Sequence, residues 1–241
     1  RLWLGLVGKI AVYRPETSQI FSFELPKSQF PDSARVVDFS VDGDKLYALI
    51  NKAGIFEVKW MNQRPVFENA SSSLELQDTD LFKVVKNKEE LWIATLGSGV
   101  FIVNKKTSET RRILAGPATE DLPSNTVYEI FHDGQVTWIG TGKGLAVTAD
   151  KGRTFQTYTD LNPGLAETEV RSVYKTNDET YWIGLTNGLA HGRKSTAKII
   201  NSSNSNLQSD TINGITVSDD GILWLATDAG VSYLKPGEAS F

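Results

Sequence analysis

One phrase recurs along this chain at a nearly constant spacing: an aromatic on an apolar strand, a glycine turn, then a second apolar strand. It is clearest at Leu91–Val103 (LWIATLGSGVFIV) and returns at Thr137–Val147 (TWIGTGKGLAV), Tyr181–Ala190 (YWIGLTNGLA) and Leu223–Tyr233 (LWLATDAGVSY). A version opens the chain at Leu2–Tyr13, and a weaker one lies at Leu46–Val58. Trp3, Tyr47, Trp92, Trp138, Trp182 and Trp224 are thereby equivalent, with steps of 44, 45, 46, 44 and 42 residues between them. Strand patterning inside so regular a period marks an array of small sheets, and above all a β-propeller. The expected fold is all-β, with six repeat units, six or seven blades in the parent, and residues 1–241 forming one propeller domain or the larger part of one.

Each unit reads as four strands, a to d from the inside outward, with the aromatic on b and the glycine turn between b and c. Arg35–Val41 is an a strand, and Asp42-Gly43-Asp44 supplies the positive φ values for the hairpin into b. Leu81–Val85, Val127–Phe131, Val170–Tyr174 and Ile212–Val217 repeat the pattern. So do the loops before them: LQDTDL at Leu76, LPSNTV at Leu122, LAETEV at Leu165 and LQSDTI at Leu207. The first unit lacks an a strand, and Gly237–Phe241 matches only the start of a d strand. Small residues after the aromatic (Gly5, Ala94, Gly140, Gly184, Ala226) leave a shallow place for the next sheet, so the aromatic ladder reads as core between sheets. No stretch of ordinary helix length shows a 3.6-residue period.

Composition narrows the function. The net charge of −4 and pI near 5.3 leave no basic face for nucleic acid. The absence of cysteine excludes disulfides and thiolate metal sites. No apolar run reaches the roughly 20 residues of a membrane span. The chain starts at a strand with no leader pattern, as if cut from a longer one.

The consensus running through Leu122–Val147 and Leu207–Leu234 resembles the two-component regulator propeller repeat. Leu165–Ala190 matches it well and Leu76–Val103 keeps most of it, whereas the unit around Tyr47 lacks the Trp and the glycine after it. The resemblance implies a bacterial, periplasmic or extracellular sensing domain in signal transduction, taking saccharide-type ligands. Thr148–Phe155 (TADKGRTF) is similar to the Asp box of sialidase-like propellers, in which Asp150 would staple its own turn.

No enzyme signature accompanies the repeat. His132 and His191 fall at different offsets, whereas a streptogramin-lyase-type propeller would need a His and an acid near the axis. The arginines are scattered, unlike the cluster around a sialidase carboxylate site. No phosphate loop or zinc spacing occurs, and no cofactor or metal is expected. In a propeller the loops entering strand a converge, although a whole repeat separates them in sequence. That gives a candidate rim of Arg35, Asp80, Asn125, Glu167, Glu169 and Asp210, and an inner set of Asp38, Lys83, Glu129 and Arg171. Their mixed charges suit a small polar or saccharide ligand, with Glu129 and Arg171 expected to be dispensable for stability. The alternative is a protein–protein scaffold in assembly or secretion, with Trp60, Phe30 or Phe67 exposed on a docking face. A propeller lyase or sialidase-like hydrolase ranks third.

Overall fold

Short β-branched and aromatic runs broken by Asp-Gly and Asn-Gly turns fold locally into antiparallel hairpins, and these build the molecule. The computed structural model describes residues 2–118, 120–157, 168–176, 180–192 and 198–236. The chain forms two compact units, Arg1–Ile113 and Leu114–Phe241. Among the described residues there are six antiparallel sheets and no α-helix; a single 3-10 turn spans Leu74–Asp78.

The first unit holds three sheets. One is β1 (Leu2–Leu6), β2 (Lys9–Arg14) and β3 (Gln19–Glu24). The next is β4 (Arg35–Asp42), β5 (Lys45–Asn51), β6 (Gly54–Met61) and β7 (Arg64–Asn69). The third is β8 (Leu81–Asn87), β9 (Glu90–Thr95), β10 (Val100–Asn104) and β11 (Thr110–Ile113). The second unit holds three more. They are β12 (Val127–His132) to β13 (Thr137–Thr141), β14 (Gly144–Thr148) and β15 (Gln156–Thr157); β16 (Val170–Lys175) to β17 (Tyr181–Leu185), β18 (Leu189–Gly192) and β19 (Lys198–Ile200); and β20 (Ile212–Val217), β21 (Leu223–Thr227) and β22 (Gly230–Leu234). Repeated sheets of this kind, each stacked on the next in its unit, are propeller blades, and the fold is an all-β β-propeller. The first sheet has no a strand among the described residues, as expected. The stretch from Gly237 to Phe241, the turn Asn177–Glu179 and Leu165 lie outside them.

The core lies between sheets. Tyr47, Trp92 and Trp138 are fully buried, and Trp138 meets Tyr181 of the next sheet at 4.3 Å between ring centroids. The small residue after each aromatic has the expected cause. A Cβ on Gly140 would stand 2.5 Å from the Val170 carbonyl oxygen, and one on Gly184 would stand 2.9 Å from that of Ile212. Each following a strand begins where those side chains are missing. The loop leucines Leu76, Leu122 and Leu207 are buried as well, anchoring the entry to each a strand. Phe30 and Phe67 are also core, at 3% and 4% exposure, packed edge-on at 5.3 Å. The expectation that they mark an exposed docking face is therefore corrected, because Phe30, in the loop before β4, packs against Phe56 and Phe67 of the second sheet and covers them; Trp60 alone of the three stays exposed.

A hairpin-end ion pair joins neighbouring sheets in both units. Asp42 accepts from Lys105 at 2.5 Å and pairs with Lys86 at 3.5 Å. Asp133 occupies the equivalent turn and meets Lys175 at 3.5 Å. The Asp box behaves as a staple: Asp150 accepts from the Arg153 and Thr154 amides at 2.9 and 3.0 Å and from the Thr154 hydroxyl at 2.8 Å. Those bonds hold its carboxyl well below the usual range.

Candidate functional site

The five a strands share a defect. In β4, β8, β12, β16 and β20 the register with strand b slips by one residue just after the first buried apolar residue, between Val36 and Asp38, Leu81 and Lys83, Val127 and Glu129, Val170 and Ser172, and Ile212 and Gly214. Each slip is a β-bulge, which leaves one residue unpaired and re-aims its side chain. The extra residues are Val37 and Phe82 in the first unit and Tyr128, Arg171 and Asn213 in the second. Arg171 therefore belongs with Tyr128 and Asn213. The true equivalent of Asp38, Lys83 and Glu129 is Ser172, so the inner set read from the sequence mixes two positions of the repeat.

In the second unit the bulge residues form a continuous polar chain across three inner strands. Arg171 donates from Nη2 to Glu169 Oε2 at 2.7 Å and from Nη1 to Asn213 Oδ1 at 3.2 Å. Asn213 Nδ2 donates to Asp228 Oδ1 at 2.7 Å. The guanidinium lies 4.9 Å from the Tyr128 ring centroid, a cation–π distance. Burial pushes the Tyr128 phenol up, and the neighbouring Glu169, which also accepts its hydrogen bond, pushes the same way; Arg171 opposes. The Arg171 and Glu169 side chains remain 32% and 36% exposed, so the chain is anchored yet open to solvent. Two buried atoms beside it, Arg171 Nε and Ser172 Oγ, lack hydrogen-bond partners among the described residues.

The other sequence-derived candidates divide by role. Glu129 is 7% exposed and accepts from the Ile130 amide at 2.9 Å. It packs beside Gly140 rather than in open solvent, so it is buried and does not line an open channel. Asn125 and Asp210 are occupied by their own loops. Asn125 Oδ1 accepts from the Ala115 amide at 2.7 Å, and Asp210 accepts from the Ser202 amide and hydroxyl at 2.7 and 3.1 Å. In the first unit, Asp38 Oδ2 accepts from the Val84 amide of the next inner strand at 2.8 Å. Burial raises its pKa against the pull of that bond and of Lys83. Arg35 and Asp80 are exposed at the heads of β4 and β8. Glu167 lies outside the described residues.

Tyr128, Asn213 and Asp228 were not singled out from the sequence, although a signal was present. V-Y-E-I, V-R-S-V and I-N-G-I space their apolar residues three apart where a regular strand would alternate. The two histidines stand elsewhere. His132 Nδ1 lies 2.8 Å from Thr137 Oγ1, and His191 stacks on Trp182 with centroids 3.6 Å apart. No group of three metal-ligating side chains occurs among the described residues, and no helix there is long and apolar enough to cross a membrane.

Comparison with known proteins supports the fold. No protein-family profile and no curated protein matches the chain. Solved structures do. The extracellular domain of BT4673 from B. thetaiotaomicron, described as a hybrid two-component system, superimposes with a TM-score of 0.72 at 19% identity, over 96% of this chain and 30% of that one. PorZ, a surface component of the type-IX secretion system of Porphyromonas gingivalis, gives 0.79 at 16% identity, over 98% and 38%. Virginiamycin B lyase from Staphylococcus aureus gives 0.64 at 12% identity, over 96% and 78%. The chain thus spans well under half of the first two.

Proposed function

We propose that this chain is a non-catalytic recognition module of an extracytoplasmic bacterial protein, its two units belonging to one propeller, or the larger part of one, of the two-component regulator type. Its ligand is a small polar molecule with several hydroxyls, saccharide-type in chemistry. The supporting observation is the chain Tyr128–Glu169–Arg171–Asn213–Asp228, which lines up acceptors and donors on three successive inner strands. A bulge that turns the same position of every inner strand out of the ladder is a device for presenting side chains. Likeness to an extracellular two-component domain favours sensing. Likeness to a secretion-system component, with Trp60 and Met61 exposed, favours the second reading, a docking scaffold. The lyase reading is weakest, because neither histidine stands at an inner-strand bulge.

Calorimetry with neutral, amino-sugar and uronic-acid oligosaccharides tests the first reading. Binding by one of them should be lost in Arg171→Ala and Glu169→Gln while the melting temperature stays near wild type. Unchanged binding in both variants sinks the assignment, and binding by no oligosaccharide moves weight to the scaffold.

A further inference from the structure

The outer strands of the sheets are the edges at which a propeller can pair with another chain, and proteins guard such edges with proline, charge or brevity. Four of them here are guarded. β7 carries Pro65, β11 carries Arg111 and Arg112, β15 has 2 residues, and β19 has 3 and opens with Lys198. β22 is followed directly by Lys235 and Pro236, and residues 237–241 lie outside the described set. β3 differs. Its sequence QIFSFE runs for 6 residues without proline, lysine, arginine or a register shift. Ile20 is 64% exposed and Phe21 36%.

Space beside that edge is already open. A groove of about 630 Å³ runs between Ser22, Phe23, Glu24 and Pro26 on one side and Asn62, Gln63, Arg64 and Pro65 on the other. That volume falls within the roughly 300–1,000 Å³ of ordinary ligand sites. Phe23 gives it an apolar floor, braced edge-on against Trp60 at 5.1 Å. The Arg64 side chain on its wall makes no hydrogen bond or ion pair with the described residues and offers an unused cation. A six-residue edge is too small for the 20–30 residues per side of a stable dimer, which argues against a second copy as the occupant.

We propose that β3 is a strand-addition site, at which an extended segment of a partner protein pairs with its outer edge. The segment alternates apolar residues, seats one of them against Phe23 and Pro65, and carries a carboxylate for Arg64. Backbone hydrogen bonds supply the attraction, and the groove selects side chains at alternate positions.

Fluorescence polarisation with a labelled heptapeptide of alternating valine and threonine, bearing one central aspartate, tests this. The peptide should bind, and Arg64→Ala should weaken it roughly tenfold, as expected for one lost charge-assisted bond. The same peptide N-methylated on alternate amides should lose binding, since only a ladder needs those N–H groups. Amide exchange should slow in Gln19–Glu24. Equal binding by the N-methylated peptide, protection confined to another strand, no binding at millimolar peptide, or binding only to an oligosaccharide would each overturn the proposal. Arg171→Ala should leave peptide binding unchanged, which separates this site from the inner one.

Discussion

Thr137–Thr141 and Leu223–Thr227 carry the same phrase, TWIGT and LWLAT, in two sheets of one unit, yet their aromatics meet different fates. Trp138 is 1% exposed and Trp224 is 37%. Each indole N–H finds an acceptor on its own hairpin, Asp133 Oδ2 at 3.2 Å for Trp138 and Ser218 Oγ at 3.3 Å for Trp224. The difference lies in what covers the ring. Over Trp138 lie Val170, Val173 and Tyr181 of the following sheet, whereas among the described residues the ring that Trp224 packs against is Tyr233 of its own sheet, at 5.3 Å. The repeat therefore encodes a face, and a neighbour determines how much that face contributes.

The largest effect expected from this comparison is at the ring itself. Trp138→Ala should cost about 3–5 kcal/mol, as for a buried aromatic, against about 1 kcal/mol for Trp224→Ala at a partly exposed site. Equal losses in chemical denaturation would break the contrast. Next comes the close approach: Gly140→Ala drives a Cβ to 2.5 Å from the Val170 carbonyl oxygen and should cost about 1–3 kcal/mol. At the matching place in the last sheet, Ala226→Gly should cost only about 0.5–1 kcal/mol, through backbone entropy.

Acid sharpens the comparison further. Burial pushes Asp133 up, but amide bonds from Val136 and Gln135, the indole and Lys175 outweigh it and hold its pKa at about 2. A carboxyl depressed below its unfolded value stabilises the fold above about pH 4 and loses that contribution as pH falls toward 2. The loss should be on the order of 1–2 kcal/mol and should vanish in Asp133→Asn. Ser218 has no such titration, so Ser218→Ala should leave the acid limb of the stability curve unchanged.

The repeat, the strand order and the aromatic core were legible in the sequence because they rest on local periodicity and turn chemistry, which each unit states again. The Asp150 staple was legible from its own turn chemistry, although only one unit carries it. The inner site was legible only in part. Arg171 was placed on the right strand and Glu169 in the loop before it, but the bulge moves Arg171 into register with Tyr128 and Asn213, and an alternating pattern assigns it to the wrong row. Whether Phe30, Phe67 and Glu129 face solvent was not legible, since each is buried by residues from another strand or loop. The sequence by itself determined a sheet that must find neighbours. Tertiary structure alone decided which ring is covered, which carboxylate is held by an amide and which edge stays open, because burial belongs to pairs of surfaces and no single segment contains both.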